Sequence, residues 1–106
     1  MFKGQKVKIR LKRFRFDERV RVLVGIILDM NNEWLKVEGK FYYLAKGELK
    51  PRVDKKSRVV GIPRENIYII RILPSNLDLD NLKYTIKDNR MMIEVEDHQP
   101  VSISEY

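Results

Sequence analysis

The chain contains no cysteine and a single histidine, His98, among its 106 residues. The missing cysteines exclude disulfide bonds and thiolate metal ligands. One histidine is too few for a zinc site, which needs three or four ligands at suitable spacing. Only five glycines occur, and none forms a phosphate-cradling loop, a dinucleotide fingerprint or a serine nucleophile signature. Asp78 with Asp80, and Glu94 with Glu96 and Asp97, are the close acidic groups. Such carboxylates could hold a hard cation but are far more often solvated surface. The chain is therefore expected to be non-catalytic, without cofactor, metal or small-molecule substrate. The longest apolar run, Val22 to Leu28, falls far short of the roughly 18 residues of a membrane helix, so no membrane partner is expected. No apolar stretch follows the N-terminal lysines, so no secretory signal is read. Together with the missing cysteines, this makes the cytoplasm the expected location.

What the chain does have is basic charge, unevenly placed. Residues 1–58 hold 17 Lys and Arg against 7 Asp and Glu, a net of +10, while residues 59–106 hold 5 against 8, a net of −3. The two make up the overall +7. Seven basic side chains and no acid fall in the first sixteen residues. This asymmetry points to a polyanion surface in the first half, with a solvated, solubilising face as the plainer alternative.

Hydrophobic periodicity gives the fold class. Lys6-Val7-Lys8-Ile9-Arg10-Leu11-Lys12 alternates with a period of two, a half-buried strand with Val7, Ile9 and Leu11 inward and the basic residues outward. Two basic residues in succession after Lys12 suggest a bulge. Asp17-Glu18 is a turn, and Arg19 to Leu28 forms a second strand that Gly25 would bend. Asn31-Asn32 reads as a turn, because Asn tolerates left-handed backbone angles. Glu33 to Glu38 reads as a third strand, Gly39-Lys40 as a turn and Phe41 to Leu44 as a fourth strand. The segment from Lys46 to Ser57 is an exposed basic loop. Arg58 to Ile62 is a short strand, Pro63 to Asn66 a tight connection, and Ile67 to Leu73 a last strand closed by Pro74. Short strands with frequent turns predict an all-β small barrel or roll over residues 1–74.

Residues 75–106 form a C-terminal extension of different character. Ser75 to Asn81 is a polar linker. Leu82 to Lys87 and Met91 to Glu96 flank Asp88-Asn89-Arg90 and read as a β-hairpin, with a helix over residues 79–92 as the competitor. The end from His98 is expected to fray.

The basic strand supplies the candidate contacts. Side chains two apart on one strand face repeat at about 6.5–7 Å, close to the phosphate spacing of an extended nucleic acid strand. Lys8, Arg10, Arg13 and Arg15 are the expected phosphate contacts. Aromatic rings could stack on bases, but in so small a chain Trp34, Phe41 and Tyr43 are expected in the core. Tyr42 alternates against them and is expected to be exposed, as a base contact.

The order of elements over residues 5–73 resembles the Sm-like family of RNA-binding proteins, which comprises Sm, LSm and Hfq. Val24-Gly25-Ile26-Ile27-Leu28-Asp29-Met30-Asn31 resembles the first Sm motif. Gly61-Ile62-Pro63-Arg64-Glu65-Asn66-Ile67-Tyr68-Ile69-Ile70 resembles the second, with Pro63 standing where the family carries arginine. The resemblance implies a bent five-stranded barrel that assembles into a homo-oligomeric ring. It also implies RNA rather than DNA as partner, with Asn31 (or Asn32) and Arg64 as contacts. The expected function is a non-catalytic RNA-binding module. The alternative is a self-assembling barrel whose exposed edges pair between chains and whose charge serves solubility.

Overall fold

A computed structural model describes residues 3–13, 19–44, 52–87, 90–95 and 99–103. Among these, the chain is mainly β, in two antiparallel sheets with no α-helix. The strands are β1 (Lys6–Leu11), β2 (Val20–Met30), β3 (Trp34–Leu44), β4 (Arg52–Val53), β5 (Arg58–Pro63), β6 (Ile67–Ile72), β7 (Tyr84–Lys87), β8 (Arg90–Ile93) and β9 (Val101–Ser102). A single 3₁₀ turn, Arg64–Asn66, joins β5 to β6. The large sheet runs β4-β3-β2-β1-β6, with β5 also paired to β3. No ladder joins β5 to β6 among the described residues, so the sheet is open there. The small sheet runs β7-β8-β9. No helix among the described residues is long and apolar enough to cross a membrane.

The large sheet is covered on both faces. One face carries Val7, Ile9, Leu11, Leu23, Ile27, Leu35, Val37 and Ile62 in one buried cluster. Val7, Ile9 and Leu11 are the inward positions expected of β1. The other face carries Val22, Val24 and Tyr42, packed against Leu73, Leu77, Ile93, Val95, Val101 and Ile103 of the following segment. A strand buried on both faces reads as a continuous apolar run rather than an alternation. That is why Val22, Leu23 and Val24 follow one another in sequence and are all buried.

The structure bears on four expectations. Gly39-Lys40 is no turn: β3 runs unbroken from Trp34 to Leu44, and Gly39 stands opposite Gly25 of β2. A Cβ on Gly25 would lie 2.1 Å from the Glu38 carbonyl oxygen, and one on Gly39 2.3 Å from that of Val24. The glycines let two backbones approach where any side chain would collide. A register shift in β1 falls between Arg10 and Leu11, opposite β6, while the irregularity expected after Lys12 and the turn at Asp17-Glu18 run into residues 14–18, outside the described residues. The helix competitor over residues 79–92 gives way to strands β7 and β8, whose ladder pairs Tyr84 with Ile93 and Thr85 with Met92. Finally, part of the expected frayed end is ordered. Val101 and Ser102 add a third strand beside β8, and Val101, Ser102 and Ile103 are all buried. Val101 and Ile103 are held by burial in the cluster that joins the extension to the large sheet.

Candidate nucleic-acid interface

The basic face of β1 is not free as expected. The extension lies across it. The Lys6 ammonium donates hydrogen bonds to the carbonyls of Ser75 (2.7 Å) and Leu77. Lys8 is 1% exposed, and its ammonium donates to the Ser102 carbonyl at 2.5 Å. Sequence alternation assigns a residue to a face of its strand. It cannot say that the face will be roofed by a segment ninety residues away. Lys8 is thus a buried cation held by main-chain oxygen, in no position to meet a phosphate.

Tyr42 is also corrected. It is 0% exposed, on the face roofed by the extension, and its hydroxyl pairs with that of Tyr84. Burial, and then the Tyr84 hydrogen bond, push its ionisation well above the ordinary range for tyrosine. Arg15 falls outside the described residues.

The remaining candidates, Arg10, Arg13, Asn31 and Arg64, lie on segments that meet at the 3₁₀ turn, the end of β5, although the register puts Arg10 and Asn31 at opposite ends of β2. Main-chain hydrogen bonds tie the three segments there together. The Lys12 amide donates to the Asn66 carbonyl and the Arg64 amide to the Glu33 carbonyl, both at 2.8 Å. These join the end of β1, the 3₁₀ turn and the β2–β3 turn. The last is built by Asn31, whose side-chain oxygen accepts from the amides of Glu33 and Trp34 at 2.8 Å each. This local bonding is the reason Asn suits a turn. It also commits that oxygen, leaving the amide nitrogen of Asn31 as the end able to meet a ligand.

Lys12, Arg13, Asn32 and Arg64 are exposed at this end. So is Trp34, at 48%, against the expectation of a core position. Its ring lies beside Gly61, where a Cβ would stand 3.4 Å from Cε3. The signal was available in the alternation of β3: Leu35 and Val37 point inward, so Trp34, Lys36 and Glu38 face out. Asn32, Glu33, Trp34, Pro63, Arg64 and Glu65 line one open hollow of about 440 Å³. Nearby on β1 and β6, the Arg10 guanidinium lies 5.6 Å from the ring centre of Tyr68, which is 55% exposed. Cation–π contact of this kind holds an arginine over an aromatic face.

A second basic and aromatic group serves structure instead. Arg58 donates to the Asp54 carboxylate at 2.8 Å and to the Tyr43 hydroxyl at 3.1 Å, and it lies 5.6 Å from the Phe41 ring centre. Asp54 also accepts from the Phe41 amide at 3.1 Å. The Asp54 bond, foremost, holds the Arg58 proton more firmly than usual. With its charge matched by Asp54, Arg58 staples β5 to β3 and β4 and contributes little net field to a polyanion.

Compared with protein-family models, curated proteins and solved structures, the chain matches none of them.

Proposed function

We propose that this protein is a non-catalytic, cytoplasmic module that binds single-stranded nucleic acid, with RNA favoured over DNA. One observation carries the reading. Exposed cations (Lys12, Arg13, Arg64) and an exposed indole (Trp34) lie on segments that main-chain hydrogen bonds join through the 3₁₀ turn, and Arg10 and Tyr68 pair on the strands β1 and β6. Phosphates are drawn to such cations and bases to such rings, which is the recipe for sequence-tolerant single-strand binding. Arg10, Arg13 and Arg64 keep the role given them by the sequence, and Lys12, Trp34 and Tyr68 join them.

The Sm-like resemblance supports the preference for RNA. A bent five-stranded barrel of that type would use β6-β1-β2-β3-β5, with the 3₁₀ turn bridging its two ends, and the strand order found agrees with it. It would also bring the Asn31 turn beside Arg64. A second observation favours homo-oligomeric assembly. Ile70 and Ile72 stand opposite the core residues Ile9 and Val7, yet are 36% and 44% exposed on the edge strand β6. An apolar edge of this kind invites a strand from another copy.

The test is the anisotropy of a labelled single-stranded RNA titrated at about 50 and 200 mM salt. Binding should weaken steeply between the two. Replacing Lys12 and Arg13 together by alanine should lower the log–log salt slope by about 1.4, near 0.7 per phosphate contact. No binding at the lower salt would refute the reading and leave the assembly module.

A further inference from the structure

The hollow beside Trp34 differs in charge from the surface around it. The protein carries +7 overall, yet the charged side chains lining this hollow are one guanidinium, Arg64, and two carboxylates, Glu33 and Glu65. Among the described residues, no hydrogen-bond or ion-pair partner is seen for any of the three side chains. Two carboxylates beside the stacking ring disfavour a phosphate there. The backbone belongs instead with Lys12 and Arg13, outside the hollow. What two acceptors and an indole suit is an uncharged, planar group with N–H donors on its edge.

Resting on the nucleic-acid reading above, we infer that the hollow is a guanine-selective base pocket. Trp34 is the stacking platform, a carboxylate of Glu33 or Glu65 reads the Watson–Crick edge, and Arg64 reads the opposite edge. The chemistry separates the four bases. Guanine presents two adjacent donors, N1–H and N2–H₂, which match the two oxygens of a carboxylate. Its O6 and N7 are acceptors that an arginine binds in bidentate fashion. Adenine and cytosine each place one amino donor beside an acceptor nitrogen, which a second carboxylate oxygen repels. Uracil flanks its one N–H with two carbonyls. Unstacked bases of single strands are read on these edges while lying on an aromatic ring. A volume of about 440 Å³ falls within the range of small-molecule pockets and admits one base.

Trp34 is the only tryptophan, so its fluorescence reports this site alone. The intact protein would be titrated with GMP, IMP, AMP, CMP and UMP, and with the labelled RNA followed by anisotropy. The expected result is quenching by GMP at concentrations about tenfold lower than the others. IMP, which lacks the 2-amino group, should fall with the weaker set. In the surface variant Glu33→Gln/Glu65→Gln the preference for GMP over IMP should vanish. Equal quenching by all five nucleotides would overturn the inference and leave the nucleic-acid reading standing. So would RNA binding with no nucleotide response at Trp34, or a preference for GMP over IMP that survives the double substitution. Failure to bind RNA at all, with no nucleotide response, would overturn both.

Discussion

Lys8 separates two descriptions of this molecule that the sequence alone treats as one. If its ammonium faced solvent on a bare basic strand, replacing it would weaken polyanion binding and leave stability nearly unchanged. In the structure it is 1% exposed beneath β9 and donates to the Ser102 carbonyl. Lys8→Ala removes three buried methylenes at about 0.8 kcal/mol each, roughly 2.4 kcal/mol. It also removes a charge-assisted hydrogen bond of about 1.5–3 kcal/mol. Relief of the desolvated ammonium offsets part of this, so a net loss of about 3 kcal/mol is expected. Lys8→Met keeps most of the packing and removes the buried charge, and should cost about 1 kcal/mol or less.

The assay is urea unfolding followed by Trp34 fluorescence. For a domain of this size, with a slope near 1.5 kcal/mol/M, the alanine variant should unfold about 2 M earlier and the methionine variant within about 0.7 M of the parent. Both should bind RNA with the parent's salt slope. The reasoning is refuted if Lys8→Ala leaves the midpoint unchanged while lowering that slope by about 0.7, the signature of one exposed phosphate contact. The extension would then not lie on β1.

Two further predictions probe the sheet and its roof. Gly25→Ala forces a Cβ to within 2.1 Å of the Glu38 carbonyl oxygen, and should destabilise the fold by about 3 kcal/mol in the same unfolding assay. A loss under about 0.5 kcal/mol would mean that β2 and β3 do not approach so closely. Tyr42 is held neutral by burial and by Tyr84, so its ionisation lies above that of an unfolded tyrosine. Its contribution to stability is fully present below about pH 10, the unfolded value, and is lost as pH rises beyond it. Absorbance at an alkaline wavelength for phenolate should show one of the five tyrosines ionising only together with unfolding. In Tyr42→Phe that late step should disappear.

The sequence was most informative where a single sheet face explained each residue. Val7, Ile9 and Leu11 alternate with basic residues and are buried as expected. The turn read at Asn31-Asn32 is present, held by the Asn31 side chain bonded to the turn's own amides, a bond the backbone-angle argument did not use. The connection at Pro63 to Asn66 was likewise legible, because proline limits what can follow and the apolar strands on either side bound it. The failures at Lys8 and Tyr42 share one cause. Alternation is a local signal, and whether an outward face meets water depends on a distant segment. Lys8 and Tyr42 lie on the face that the extension roofs, and nothing near either residue announces this. The clue was in the extension itself: Ile93, Val95, Val101 and Ile103 are apolar side chains that a lone hairpin could not bury.

That same roof explains why the candidate interface lies around the 3₁₀ turn rather than on the face of the sheet. The extension takes up the ammonium groups of Lys6 and Lys8 with the carbonyls of Ser75, Leu77 and Ser102. Half of the basic strand is thereby spent on holding the second sheet in place. Its other half, from Arg10 through Arg13, runs out beyond the roof to the 3₁₀ turn, where the Lys12 amide meets Asn66. A charge pattern that reads as one uniform basic strand is thus two structures in sequence, an anchor for the protein's own backbone and the surface proposed to meet a foreign one. Substitutions at Lys6 or Lys8 should therefore register in stability, and those at Lys12 or Arg13 in affinity.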